Sequence, residues 1–183
     1  MFDTAAQESD EKAIEIIQAT SNVSKIERIK AFDNLESMIL QYEQAVVPVV
    51  HRFCGDMYMR EITLEKDSLL TGRIHKFDHF DIMLSGDISV SSDDGKVRRM
   101  TGLNIMEGKA GKKRAGWVHE ETHWITIHSA QEQDPEGMVE FLTVETFEQL
   151  EEFQDHFALA MKQLNDDEQI ILDHIRENCS EEI

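Results

Sequence analysis

The stretch Leu69–Val90, LLTGRIHKFDHFDIMLSGDISV, decides the fold. It has a strand-like pattern and carries His75 and His79 four residues apart. Gly72 precedes the pair and Gly86 follows His79 by seven residues. Residues four apart in an extended strand point to the same face, so the spacing predicts both imidazoles on one side of a sheet, with Phe77 and Asp81 beside them. An imidazole buried without a partner is costly. A metal would provide one, because neutral imidazole is a common ligand. A hydrogen bond to Tyr58 or to a carboxylate would serve as well, and the spacing alone leaves both open.

Outward from this stretch the chain reads as short strands: 57–64 (MYMREITL), 79–86 (HFDIMLSG), 87–92 (DISVSS), 96–103 (KVRRMTGL), 123–130 (HWITIHSA) and 138–145 (MVEFLTVE). Asp93-Asp94-Gly95 is a hairpin signal, and Gly102, Gly108, Gly111 and Gly116 punctuate a loop-rich segment. Many short strands at regular spacing predict a sandwich or barrel. The first 47 residues are predicted helical. Ala13, Ile14, Ile16 and Ile17 cluster, and Val23, Ile26, Ile29, Phe32, Leu35, Met38, Ile39 and Tyr42 recur at three and four. Ser21 or Asn22 is the expected cap of the second helix, and Pro48 the expected stop. After Glu145 the helical period returns from Phe147 to Leu164, with a break at Asn165-Asp166-Asp167 and a second short helix over Ile170, Ile171, Leu172 and Ile175. The reading is a mainly β fold with α extensions: helices over 1–48, a β core over 49–145, helices over 146–183.

A chain of 183 residues suffices for one sizeable domain with its own core. A net charge of −19 argues against broad nucleic-acid binding and against anionic membranes. There is no run of 18 apolar residues, and MFDTAAQESDEK lacks the basic start and apolar run of a signal peptide, so a cytoplasmic location is expected. Cys54 and Cys179 match no metal or redox spacing; two reduced thiols are expected, with a single disulfide as the alternative. The charge is uneven. Residues 145–183 hold 12 acidic residues against Lys162 and Arg176, whereas residues 96–114 hold seven basic ones (Lys96, Arg98, Arg99, Lys109, Lys112, Lys113, Arg114) and one acid, Glu107. That basic segment either recognises a localised anion or offsets the acidic helices. No Walker loop, Rossmann glycine pattern, Gly-x-Ser-x-Gly or His-Glu-x-x-His is present, which disfavours the standard nucleotide hydrolases, dehydrogenases, serine hydrolases and zincins.

The β core resembles the cupin superfamily, whose fold is a double-stranded β-helix or jelly-roll barrel. The usual first cupin motif runs glycine, five residues, His-x-His, three or four residues, glutamate, six residues, glycine. Here Gly86 fits the closing glycine, His79 stands at the glutamate, His75 at the second histidine and Arg73 at the first. The second motif, Pro-x-Gly-x-x-His, finds its best match in Lys109-Ala110-Gly111-Lys112-Lys113-Arg114, without the proline and with Arg114 at the histidine. The phrases HRFCGDMYMREI, LLTGRIHK and WITIH look closest to small cupin-like proteins of phage and prophage genomes. The resemblance covers residues 49–144.

That resemblance favours the face of Trp124, Thr126 and His128 over the face of His123, Ile125 and Ile127 as the one lining a pocket. His128 would then join His75 and His79 in a three-histidine site for one divalent transition metal: zinc, iron, manganese or nickel. The usual cupin takes its last ligand from the preceding strand. Arginine does not ligate metals, so Arg73 and Arg114 at ligand positions imply an anion pocket instead; Arg73 turned outward onto acidic surface is the alternative. Tyr58 and Trp124 are further expected ligand contacts, with Trp117 and Trp124 either a flat wall or core. His119 and His123, flanking Glu120 and Glu121, form either a second site or a solvated turn. His51 sits at the pocket mouth or an oligomer interface, and His156 and His174 on the surface.

Three functions follow. The first is a homo-oligomeric binding protein for a small polar or anionic ligand, using Arg73, Arg114, Tyr58 and Trp124 with or without the metal, and serving a phage as a modulator of host metabolism or signalling. The second is a metal-dependent oxygenase or isomerase with Asp81 or Glu121 as base. The third is an acidic interaction or inhibitor module.

Overall fold

The computed structural model describes residues 4–21, 24–130 and 134–179. Asn22 and Val23, and the side chains of Ile171, Leu172, His174, Ile175 and Cys179, lie outside the described residues. Two helices, α1 (Thr4–Ala19) and α2 (Lys25–Ile39), come first. Eight strands follow: β1 (Val49–Cys54), β2 (Met57–Leu64), β3 (Leu69–Thr71), β4 (Ile74–His75), β5 (His79–Ser91), β6 (Val97–Thr101), β7 (Asn104–Gly108) and β8 (Ala115–Ser129). The chain ends with α3 (Pro135–Leu142), β9 (Thr143–Val144) and α4 (Phe147–Cys179). It divides into two compact units between Glu145 and Thr146. The fold is mainly antiparallel β-sheet with four helices among the described residues.

The first unit is organised by β5 and β8. They pair from Phe80↔Ile127 to Met83↔Trp124 and again from Ile88↔Val118 to Val90↔Gly116, with register irregularities between. Sequence reading split β5 at Gly86; the structure runs straight through. Gly86 has φ +109°, and a Cβ there would overlap the backbone of Glu121 and Thr122, so the glycine allows a bend in a continuous strand rather than ending it. Each half of the long pair then takes its own neighbours. The first half of β5 pairs with β7 and the second with β6. The first half of β8 pairs with β3 and the second with β2, which continues to β1. A sheet bent at its middle, with strands added at both ends, curls about its inner face. That face holds the apolar cluster of Leu64, Met83, Ile88, Val90 and Val118.

Two further expectations change. Residues 119–123, read as a solvated turn or a second metal site, lie inside β8. His119 is buried there, with Nε2 2.8 Å from Ser89 Oγ and Nδ1 3.3 Å from Asp10 on α1, while His123 lies 3.5 Å from the exposed Glu121 carboxylate. The segment 138–145, read as a strand, is mostly helix. Asp134 caps it by accepting from Gly137 N at 2.7 Å, and Pro135 stands at its start, which favours a helix despite the β-branched residues that follow. α3 buries Met138 and Leu142 against Tyr58, with Phe53 and Phe77 alongside, so Phe77 joins this cluster and not the histidine face. The two-stranded sheet of β4 and β9 then ties His75 to Thr143.

The N-terminal helices brace the outside. α1 buries Ala13 and Ile17, and its Asp10 accepts from Trp117 Nε1 at 2.8 Å. α2 buries Phe32 and Leu35, and its Glu36 pairs with Lys113 and accepts from Thr71 Oγ1. α2 stops at Ile39, well before Pro48, and Tyr42 is exposed. Its N-cap is Ser24; Ser21 instead donates to Lys96 O and accepts from Ser92 N, fastening the helical turn to the β5–β6 hairpin. In the second unit α4 is one continuous helix of 33 residues, without the expected break at Asn165–Asp167. Asn and Asp cost only about 0.7 kcal/mol each in a helix interior, and strong helix formers surround them. Phe157, Met161 and Leu164 on its stripe are exposed. No helix among the described residues is long and apolar enough to cross a membrane.

Candidate metal and anion site

The inner faces of β2, β5 and β8 are in register across the curled sheet. Tyr58 stands opposite His128, Arg60 opposite Thr126, and Ile62 opposite Trp124. On the other side of β8, Asp81 stands opposite Thr126 and Met83 opposite Trp124. Alternation along each strand thus produces rows: one of tyrosine and histidine, one of arginine, threonine and aspartate, then apolar ones. All three strands line a cavity of about 320 Å³, completed by β3, by Val139 and Leu142 of α3, and by Thr143.

His75, His79 and His128 converge at one wall of this cavity, each with a ring nitrogen within 4.8 Å of the others. His75 and His79 do not share a strand, contrary to the spacing argument. β4 ends at His75, the chain turns through Lys76–Asp78, and β5 starts at His79. The turn still stacks the two rings, with centroids 4.0 Å apart, and His128 lies 5.0 Å from His75 and 4.7 Å from His79. The His79 side chain is 4% exposed. Gly108, across from it on β7, leaves room for the ring: a Cβ there would overlap the imidazole.

The hydrogen bonds fix much of the chemistry. His79 Nδ1 lies 3.0 Å from Phe77 O, which can only accept, so Nδ1 carries a hydrogen, while Nε2 lies 3.4 Å from Asp81 Oδ2. His75 Nδ1 and His128 Nε2 are 3.0 Å apart, one donating to the other. Among the described residues, His128 Nδ1 is buried with no partner. Burial and the neighbouring imidazoles push His75 down to about 3, and burial followed by His79 pushes His128 down to about 4. Both are therefore neutral near pH 7, the form that ligates metals. The donor set fits a divalent transition ion: three imidazoles, two of them neutral, a third bonded to a backbone carbonyl, and among the described residues one buried ring nitrogen without a partner. Ligands on one tetrahedral zinc sit about 3.3 Å apart, so side-chain rotation would have to close the 4.8 Å span.

Asp81 occupies the neighbouring row and is 3% exposed. Its Oδ2 takes Arg114 Nη1 at 2.5 Å and lies 3.4 Å from His79 Nε2; its Oδ1 accepts from Trp124 Nε1 at 3.1 Å and Thr126 Oγ1 at 3.2 Å. Burial alone would raise its pKa, but the His79 contact, the Arg114 guanidinium and the Trp124 hydrogen bond hold it well below the usual carboxylate range. Arg114 is thus bound to a carboxylate. Arg73, at the rim and half-exposed, donates from Nε to Thr143 Oγ1 at 2.8 Å and pairs with Glu145 at 3.2 Å. Arg73 thus lines the cavity and at the same time meets an acidic side chain. The basic segment behaves similarly: Arg98, Arg99, Lys109, Lys112, Lys113 and Arg114 each pair with a carboxylate within the fold.

Tyr58 is buried, lines the cavity and bonds His51 Nδ1 at 2.7 Å, with its phenol pushed up by burial. His51 is half-buried on β1 and lowered by burial and by Arg60. Of the two tryptophans, Trp124 lines the cavity and Trp117 packs beneath α1. Glu121 does not line the cavity. His156 is exposed on α4, bonded to Glu152 O.

Arg60 was missed by sequence reading. It lines the cavity half-buried, and no carboxylate among the described residues lies within 4.0 Å of it. The signal was present in MYMREITL, where Tyr58, Arg60, Ile62 and Leu64 alternate on one face. A second depression, of about 420 Å³, reaches His79 and His128 from the side of Asp78, Glu107 and Lys109, so these two imidazoles form a wall between two spaces.

No family model matches the chain, and no curated protein matches it. Among solved structures, the cupin-2 domain of an XRE family transcriptional regulator from Enterobacter cloacae is similar at 15% identity, over 45% of this chain and 95% of that one, with a TM-score of 0.39. A putative ethanolamine utilization protein from Salmonella typhimurium is similar at 11% identity, over 48% and 72%, with a TM-score of 0.40. A cupin superfamily protein from Desulfitobacterium hafniense is similar at 13% identity, over 53% and 88%, with a TM-score of 0.40. At TM-scores below 0.5 these likenesses carry no argument about function.

Proposed function

We propose that this protein binds a small polar or anionic ligand in the cavity of its curled sheet, beside one divalent transition metal held by His75, His79 and His128. The observation that carries the proposal is the convergence of three imidazoles, two of them held neutral, with His75 half-buried and a buried Nδ1 on His128 that has no partner among the described residues. Bound there, a metal would offer a Lewis-acidic position to a ligand oxygen. The chain's own residues do the rest. Phe77 O fixes the tautomer of His79, Asp81 anchors Arg114 and Trp124 in the wall, and the apolar rows exclude water from the inner end.

Binding is favoured over a metal-dependent oxygenase or isomerase because such chemistry commonly needs a proton-transfer group poised near neutral pH. Asp81 is held ionised by its partners, and Glu121 lies away from the cavity. Self-association belongs to the same proposal, supported by Phe80, Leu84 and Ile105, which are exposed on β5 and β7. The role in a phage rests on the sequence resemblance alone and forms no part of it.

The test is elemental analysis of protein purified without an affinity tag, with light scattering for subunit number. About one metal per chain is expected, falling at least tenfold in His128→Ala. Wild-type protein that takes up no zinc, iron, manganese or nickel at micromolar concentration refutes the metal centre.

A further inference from the structure

Resting on the reading that the cavity binds a ligand, we infer that the ligand is a monocarboxylate with an apolar chain, its carboxylate held by Arg60. The positive charges on the cavity lining are unequally matched. Four cationic side chains reach it: Arg60, Arg73, Lys112 and Arg114. Arg73 meets Glu145, Arg114 meets Asp81, and Lys112 meets Asp93 at 3.3 Å, a carboxylate that Arg28 shares at 3.3 Å. Arg60 alone of these four has no carboxylate within 4.0 Å among the described residues. A half-buried, unpaired charge is costly, and an anion entering the cavity removes the cost. One unpaired guanidinium matches one negative charge, a match read directly in the EDTA-treated protein, where no metal adds to the positive charge. The planar fork of a guanidinium matches the planar carboxylate with two parallel hydrogen bonds.

Position gives the other half of the ligand. Along β2 the inward residues run Tyr58, Arg60, Ile62, Leu64. Tyr58 stands opposite His128 in register, whereas Ile62 and Leu64 continue into a wall completed by Leu70, Ile88 and Val90. Arg60 thus sits at the boundary between the polar end of the cavity and its apolar end. A head group on Arg60 has the histidines on one side and an unbranched route along aliphatic side chains on the other. At about 30 Å³ for each water-sized group, 320 Å³ admits about ten non-hydrogen atoms. Octanoate is of that size.

The experiment is isothermal titration of full-length protein, zinc-loaded and EDTA-treated, with octanoate, 1-octanol, acetate and octyl phosphate. Octanoate is expected to bind at one per chain. Acetate and 1-octanol, which each keep one half of the ligand, are expected to bind at least tenfold more weakly. Arg60→Gln should lose octanoate affinity at least tenfold while keeping its metal content. Arg60→Met should melt no lower than wild type without ligand, because it removes an unpaired charge rather than a structural contact. Octanoate binding unchanged in Arg60→Gln overturns the inference, as does tighter binding of octyl phosphate, which would make the head group a phosphate. Metal uptake without octanoate binding overturns the inference and leaves the metal centre standing. Arg60-dependent octanoate binding without metal uptake supports the inference and removes the metal centre.

Discussion

Asp81→Asn tests whether the polar wall of the cavity is built as described. The carboxylate side chain is 5% exposed and Arg114 28% exposed, so the change leaves a mostly buried guanidinium without its counter-charge. Removing one partner of a buried ion pair typically costs about 3–5 kcal/mol. The lower end applies, because Arg114 keeps some hydration and the new amide oxygen can still accept from Trp124 and Thr126. The new amide nitrogen, however, faces Arg114 Nη1, donor against donor. About 3 kcal/mol, at a urea m-value of about 2 kcal/mol/M, lowers the unfolding midpoint by about 1.5 M. Tryptophan fluorescence is the right probe, since Trp117 and Trp124 both belong to the first unit. The melt is run at pH 7 with EDTA, which keeps metal out of the comparison. Adding Arg114→Met removes the stranded charge and is expected to recover more than half of the loss. A midpoint shift below about 0.3 M, or a double variant as unstable as the sum of the singles, would refute the buried-pair account.

Gly108→Ala should push the His79 ring out of place, and a displaced ligand commonly costs 10–100-fold in metal affinity; competition with a chelator measures it, and unchanged affinity argues against His79 as a ligand. In metal-free protein His75 and His128 titrate near 3 and 4 instead of the ordinary 6.5, so the unfolded chain binds more protons through that window. Stability is then full above about pH 6.5 and declines as the pH falls toward 3, which urea melts at stepped pH will detect; a flat profile over this range contradicts the burial. Asp10→Ala should cost about 1–2 kcal/mol by freeing Trp117 Nε1 and His119 Nδ1 beneath α1, and should speed hydrogen exchange in that helix. Exchange in α1 no faster than wild type would show that the helix is held by Ala13 and Ile17 alone.

The architecture was legible where local pattern and tertiary environment agree. β2 reads as a strand from its alternation, and the Asp93–Gly95 turn reads as a hairpin from its residues; both are where expected. It was illegible where one signal outweighed another. In 138–145 the β-branched residues hid a helix already announced by Asp134 and Pro135. In 119–123 two histidines and three neighbouring acids or hydroxyls looked like surface, because nothing local reveals that α1 covers His119. His75 and His79 were paired by a period-two argument that was right about their meeting and wrong about its cause, and His128 was added by the resemblance. A turn, not a shared strand, brings His75 onto His79.

The arginines follow the same logic in terms of charge. From sequence, Arg73 and Arg114 drew attention because they stand where the resembling family places ligands, while Arg60 sat unremarked in an ordinary strand. An arginine's effect on a cavity depends, however, on what neutralises it, and that is a long-range property. Arg114 meets a carboxylate 33 positions away, and Arg73 one 72 positions away. Neither separation has any periodic signature. Arg60 differs from them only in lacking such a partner, an absence that no local pattern can encode. The electrostatic character of the pocket therefore follows from the pairing of β2, β5 and β8, which places Thr126 between Arg60 and Asp81 and leaves the carboxylate to Arg114. A change that moved Asp81 by one residue in register would turn its side chain to the opposite face, away from Arg114, and the pocket would gain a second free cation.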